Sequence, residues 1–274
     1  MIVYILTDNV NLIRLERLKY AVTISGYKYQ VVTNLQNLDI DKDIIIASNV
    51  SCQFPIFQKY VKQNIYGILD DKINFYNYLK TNPKITEDSG VHLIPYYDKS
   101  YTGPSITQQF LIKQRNGWGS KFNTIVNDNV YNLIKKYSNT HQIQDLMDVK
   151  HILGVSLSVL HGKILGVYTY KSFTGLTPEM NAQGFDAQRE NCIRYKEVRK
   201  FLKKLIKKIN YQGIAEFEFI IDKQDKIYIM ECNPRVCDSL RINLYVDHVI
   251  KRYIVALQTR KFDGINIDDE KLWK

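Results

Sequence analysis

The chain has 274 residues, 45% hydrophobic and 24% charged. This is ordinary for a globular protein, and long enough for one large domain or roughly two to three small ones with real cores. No apolar run approaches the roughly 18 residues of a membrane-spanning helix, and the opening Met1–Leu6 is too short for a signal-peptide core, so a cytoplasmic protein is expected. The net charge is +10, from 38 Lys and Arg against 28 Asp and Glu, which favours anionic partners. It is not gathered into a tail, so a nucleic-acid partner is not expected.

The cysteines at 52, 192, 232 and 237 form no C-x-x-C pair and read as reduced packing residues. From the start, a strand at 2–6 precedes a helix near 12–25 with Leu12, Leu15, Leu18, Tyr20 and Ala21 apolar. Strands near 28–32 and 43–47, a helix near 54–62 and a strand at 65–69 follow. This order predicts a small parallel-sheet domain. No G-x-G-x-x-G follows the first strand, so dinucleotide binding is not supported.

Asp70-Asp71-Lys72 opens a helix running to about Lys80. The turn-rich stretch Asn82 to Pro104 reads as a linker with a short strand at His92–Pro95. Two β-rich runs between Gln108 and Val126 then flank the loop Gln114 to Ser120, with Lys113 ending the first. A strand lysine aimed at Gly117-Trp118-Gly119-Ser120 offers phosphates a point charge beside exposed backbone N–H groups. No helix follows, so this is not a P-loop.

A strand reaches Gln144-Asp145-Leu146-Met147, and a hairpin turns at His161-Gly162 between Val155–Leu160 and Lys163–Lys171. The stretch Phe173 to Asn191 is polar and irregular, a candidate substrate loop. From Arg194 to Lys208, Val198, Phe201, Leu202, Leu205, Ile206 and Ile209 recur at helical spacing, with Lys200, Lys203, Lys204, Lys207 and Lys208 on the wet side. A closing helix spans about Val246–Thr259.

Between those helices lies Gly213 to Arg235, two β-rich runs around Asp222-Lys223-Gln224-Asp225. A loop of two or four residues sets Glu216 opposite Glu231 and Glu218 opposite Ile229. Glu216, Glu218, Glu231 and Asn233 then project from one face, and an odd loop would scatter them. Several acids on one face suit a hard divalent cation, and Pro234 and Arg235 place a phosphate-binding fork beside it.

G-x-A-E-F-E-F followed by E-C-N-P-R resembles the metal-binding end of the ATP-grasp superfamily, in the flavour of carboxylate–amine ligases and the carbamoyl-phosphate synthetase large chain. The resemblance implies an α/β and α+β protein, an ATP-grasp fold behind a small parallel-sheet domain. The implied boundaries are 1–69, 70–147 with the glycine-rich loop, and 148–274 with the metal site. It assigns Glu218, Glu231 and Asn233 to Mg²⁺ (or Mn²⁺), with Glu216 the rival of Glu218. Lys72, Lys113 and Gly117, Trp118, Gly119 and Ser120 fall on the phosphates of ATP. Gln144, Asp145, Leu146 and Met147 become the adenine hinge. Arg235, Lys171 and Arg241 are the candidate catalytic residues, on the phosphates and the acyl or acceptor carboxylate. The family's ribose-binding glutamate has no counterpart in Gly154-Val155-Ser156, and Asp148 is its candidate replacement. The implied activity is an ADP-forming, carbon–nitrogen bond-forming ligase, with a small-molecule carboxylate and amine as partners and a homodimer as a compatible assembly. A kinase or synthetase with another acceptor, and an inactive nucleotide binder, are the alternatives.

Overall fold

The computed structural model describes residues 2–8, 12–58, 60–61, 64–116, 123–172, 187–189, 195–237 and 245–259. Strands β1 (Ile2–Leu6), β2 (Lys28–Val32) and β3 (Ile44–Ala47) form a parallel sheet in the order β2-β1-β3, as their apolar runs predict. Helix α1 (Leu12–Ile24) buries Leu15, Leu18, Ala21 and Val22 on it, whereas Leu12 and Tyr20, expected on that face, are exposed. Helix α2 is Val50–Phe57, begun by the Asn49 side chain accepting from the Cys52 N–H at 3.1 Å, several residues before the predicted start.

The predicted strand at 65–69 is instead helix α3 (Ile65–Asp70). An apolar run this short carries no period of its own. The deciding group is Asn64, whose side chain caps Gly67 N at 3.1 Å and lets Ile65, Tyr66 and Leu69 turn inward together. Helix α4 (Lys72–Thr81) follows at once, with Asp71 as N-cap accepting from Ile73 N and Asn74 N.

The predicted strand at His92–Pro95 is two bridges, β4 (His92–Leu93) and β5 (Tyr96–Tyr97), which join different sheets. A four-stranded sheet runs β5-β8-β6-β7, from β6 (Thr107–Gln114), β7 (Thr124–Asn129) and β8 (His141–Asp145). Helix α5 (Val130–Tyr137) covers one face, where Tyr97, Phe110, Ile112, Val130, Leu133 and Ile143 make a small separate core.

The largest sheet has six strands: β9 (Val149–Leu160), β10 (Lys163–Ser172), β11 (Ala187–Arg189), β12 (Gly213–Asp222), β13 (Ile227–Asn233) and β4. Its order is β11-β10-β9-β12-β13-β4. Helix α6 (Lys196–Ile209) packs on its back face with all six predicted apolar residues buried, and Phe201 meets Phe219 edge-on at 5.7 Å. A π-helical turn, Val246–Lys251, runs into α7 (Arg252–Thr259), and Val246, Val249, Ile250, Tyr253, Ile254 and Leu257 are buried as the spacing predicts. The three-stranded and six-stranded sheets share one continuous apolar core. Among the described residues, no helix is long and apolar enough to cross a membrane.

Candidate active site

The hairpin β12–β13 shows why four polar side chains share a face. Near the turn Ile221 pairs with Ile227 and Phe219 with Ile229, a register that corresponds to an odd loop. Left alone, it would turn Glu231 and Asn233 away from Glu216 and Glu218. A β-bulge intervenes: Met230 has no opposite number, and beyond it Glu218 pairs with Glu231 and Glu216 with Asn233. The expected pairings, Glu216 with Glu231 and Glu218 with Ile229, are therefore wrong by one pair, while the shared face stands. Strand β12 also needs its first residue to be glycine. Gly213 has φ +107°, and a Cβ there would lie 1.9 Å from Gln53 Oε1. The buried Gln53 amide ties α2 to this end of the hairpin through Ile214 O and Pro234 O.

Cations from two other elements reach the same spot. Lys72, first residue of α4, lies 3.4 Å from Glu231 Oε2, and Lys113, near the end of β6, lies 3.6 Å from the same oxygen. Both lysines are buried. A clasp holds them side by side. Arg115 binds the Asp71 carboxylate at 2.8 Å, and the Lys72 N–H donates to Arg115 O at 3.2 Å. Asp71 thus caps α4 and anchors the end of β6 at once. Sequence reasoning missed this role, although an Asp before a helix start is its visible signal.

Arg235 completes the cluster. Its guanidinium donates to Asn233 Oδ1 at 2.6 Å and to Cys237 Sγ at 3.0 Å, and lies 3.9 Å from Asp70. Asn233 in turn donates to Glu231 Oε1 at 3.3 Å. Glu216 accepts from Ser156 Oγ at 2.7 Å and is buried. Tyr170 stands over Gly154, beside Glu216 and Glu218. A Cβ on Gly154 would come 2.1 Å from the Tyr170 ring. Burial, then the two glutamates, push the Tyr170 phenol well up.

The carboxylates are not equivalent. Burial pushes Glu218 up, and the neighbouring Glu231 and Glu216 push it further, against the pull of Lys113 and Lys72. Burial would also raise Glu231, but Lys72 and Lys113 outweigh it and hold that carboxyl below the ordinary range. Lys113 is lowered by burial despite Glu231 beside it. The result is one ionised carboxylate bracketed by cations and one short of positive charge. Among the described residues, no three acidic, His or Cys side chains close a metal cage. Glu218, Glu231 and Asn233 instead make an open oxygen donor set, the kind Mg²⁺ uses when phosphates and water complete its shell.

Of the predicted site residues, Lys72, Lys113, Glu218, Glu231, Asn233 and Arg235 come together, with Glu216 beneath them. Lys171 does not join them. A second bulge, at Leu165, shifts β10 so that Lys171 pairs with Leu153 and Tyr170 with Gly154. Lys171 therefore faces the back, lining a cleft with His151, Tyr195 and Glu197. Asp148, the expected ribose acid, forms an exposed ion pair with Lys223 at 2.8 Å, and Ser156 is spent on Glu216. At the predicted hinge, the Asp145 carboxylate is held by Tyr97 at 2.9 Å and Gln108 at 2.8 Å. Gln144 is buried, and Leu146 and Met147 pack on the main core. Gly117, Trp118, Gly119, Ser120 and Arg241 lie outside the described residues.

Residues 187–243 match the family described as "Carbamoyl-phosphate synthase L chain, ATP binding domain". Among solved structures, D-alanyl-alanine synthetase A from Vibrio cholerae is similar with a TM-score of 0.59 at 10% identity, over 94% of this chain and 97% of that one. N5-carboxyaminoimidazole synthetase from Staphylococcus aureus, complexed with ADP, has a TM-score of 0.58 at 14% identity, over 92% of this chain and 76% of that one. A RiPP-associated ATP-grasp ligase from Chryseobacterium gregarium, in complex with ADP and a leader and core peptide, has a TM-score of 0.53 at 10% identity, over 96% and 98%. No curated protein matches the sequence.

Proposed function

The chain has the ATP-grasp fold, and on that premise we propose that it is an ATP-dependent carboxylate–amine ligase, forming an amide through an acyl phosphate and releasing ADP and phosphate. The observation that carries this reading is the Glu218–Glu231 pair with Lys72, Lys113 and Arg235 around it. Lys72, Lys113 and Arg235 converging beside an open oxygen donor set suit a polyphosphate with its divalent ion.

Glu218, Glu231 and Asn233 would hold Mg²⁺ or Mn²⁺, which supplies Lewis-acid neutralisation of phosphate charge when bound. Lys72, Lys113 and Arg235 would spread the negative charge that develops as the γ-phosphoryl group moves. Such a transfer needs positioning and fixed charge rather than a protein nucleophile. A substrate carboxylate oxygen attacks the γ-phosphorus and ADP leaves. The amine nitrogen then attacks the acyl carbon, phosphate leaves with the bridging oxygen, and the nitrogen sheds a proton. The divisions near 69/70 and 147/148 are part of the same proposal, with the acceptor taken up beside the three-stranded sheet.

The test is an ADP-release screen against amino acids, small peptides and other carboxylates, each with and without an amine. ADP formation that requires both an acid and an amine supports the reading. Nucleotide binding with no ADP formation from any pair would instead leave a passive binder.

A further inference from the structure

Helix α1 is apolar on two sides. At about 100° per residue, Leu15, Leu18 and Val22 share one side, and all three are buried. Ile13, Tyr20 and Ile24 fall within about 20° of one line on the opposite side. These three are 67%, 55% and 43% exposed. A surface helix ordinarily keeps its outer side charged, as α6 does with Lys200, Lys203 and Lys207. A helix apolar all round is ordinarily one that is covered on both sides. The exposure is also local. Among the described residues, six of the nine large exposed hydrophobic side chains lie in the first 29 residues, and a seventh, Val255, sits on α7.

The chain brings a cover to the right place. Gln258, on the last turn of α7, accepts a hydrogen bond from the Tyr27 hydroxyl at 3.4 Å. Tyr27 lies three residues past Ile24, which ends α1. The chain therefore leaves α7 beside the C-terminal end of the α1 stripe. Residues 260–274, RKFDGINIDDEKLWK, follow and lie outside the described residues. They carry Phe262, Ile265, Ile267, Leu272 and Trp273, too few apolar groups to build a core of their own. Helix α1 has 13 residues, so it is about 20 Å long. A segment of residues 260–274 spans about 50 Å extended and about 22 Å as a helix, so it reaches the far end of α1 in either form.

We propose that residues 260–274 lie along the outer side of α1, with their apolar side chains covering Ile13, Tyr20 and Ile24. Tethering selects this occupant over a second copy of the chain. A segment anchored at Thr259, next to the Tyr27 contact, meets the stripe at an effective concentration on the order of millimolar, above that of a second copy in dilute solution. Charge agrees with the assignment. Arg17 stands between Ile13 and Tyr20 on the same side, and the segment interleaves Asp263, Asp268, Asp269 and Glu270 with its apolar residues. The segment then ties α1, which packs on the three-stranded sheet, to α7.

Trp118 and Trp273 are the two tryptophans of the chain, so Trp118→Phe leaves Trp273 as the sole fluorescent reporter. In this background, with the whole chain present, acrylamide quenching of Trp273 is measured with and without Ile13→Glu and Tyr20→Glu together. Both positions are exposed, so the fold should persist, which circular dichroism checks. Should the double variant unfold, Tyr20→Ser alone takes its place, with the same direction expected. Trp273 should be shielded in the parent protein. The stripe variant should raise its quenching severalfold, to the level of the urea-unfolded chain. Full quenching of Trp273 in the parent overturns the proposal. So does shielding that persists in a folded stripe variant. Shielding lost on dilution, with the mass halving in light scattering, makes a second copy the occupant and overturns it as well.

Discussion

The two faces of the six-stranded sheet are made by the same strands and do opposite things. On the back, Phe217, Phe219 and Ile221 of β12 alternate with the front-facing residues, and Phe219 packs edge-on against Phe201 of α6. On the front, Glu216 and Glu218 face Glu231, Lys72, Lys113 and Arg235, charges largely taken out of water and set against one another. Removing hydrocarbon from water stabilises the fold. Burying charges barely breaks even when they are well paired, and costs stability when they are not. The back face holds the strands in place, and the front face spends part of that stability on a charged site.

Glu231→Gln should cause the largest effect. The substitution keeps the shape and removes the one charge shared by Lys72 and Lys113. Breaking a buried pair of this kind costs about 3–5 kcal/mol. Turnover, measured as phosphate release, should fall at least about 100-fold, the usual loss when a group facing developing charge is deleted. A variant with wild-type stability and turnover would remove Glu231 from the site. Phe219→Ala comes next and should affect stability only. Emptying a fully buried phenyl site costs about 3–5 kcal/mol, yet turnover per folded molecule should stay at the wild-type level. Loss of activity in the folded fraction would mean that the two faces are not separable.

Gly154→Ala probes the front face from beneath its glutamates. Gly154 pairs with Glu218 on one side and Tyr170 on the other, and an added methyl must displace the Tyr170 ring. Overpacking of this sort costs about 1–3 kcal/mol. Because Tyr170 stands beside Glu216 and Glu218, turnover should fall as well, while in a Tyr170→Ala background the added methyl should cost little further stability. The same cost in both backgrounds, read by denaturant unfolding, would show that Tyr170 is not what the methyl strikes.

The back face and the long helices were legible in the sequence because burial there repeats with a period. Val198 through Ile209 on α6, and Val246 through Leu257 at the end, needed only the spacing of apolar residues. The site was legible for a different reason: Glu231-Cys232-Asn233-Pro234-Arg235 concentrates its chemistry in five residues. Single-residue irregularities were not legible. The bulge at Met230 corrects an odd hairpin and keeps the acids together, whereas the bulge at Leu165 turns Lys171 away and brings Tyr170 in. Nothing in the identity of Met230 or Leu165 announces either event, since each is set by how neighbouring strands must stagger. Asn64 is a similar case, a single cap that decides between strand and helix for an apolar run compatible with both.

The smallest effect should come from Lys171, and it tests the comparison most directly. By resemblance this lysine belongs with the phosphate-binding cations, one residue from Tyr170 on a strand that borders the site. The pairing of Lys171 with Leu153 instead commits it to the back, where it lines a cleft with His151, Tyr195 and Glu197. A half-turn of the strand therefore separates two adjacent residues into different environments. Lys171→Ala should change stability by no more than about 0.5 kcal/mol, as for a surface substitution. It should also leave phosphate release and Mg-ADP affinity at wild-type values. In the same assays Lys113→Ala should weaken Mg-ADP binding strongly, because it removes a buried cation 3.6 Å from Glu231. A large fall in turnover for Lys171→Ala, with stability unchanged, would require β10 to shift by one residue during the reaction, undoing the Leu165 bulge and carrying Lys171 to the front.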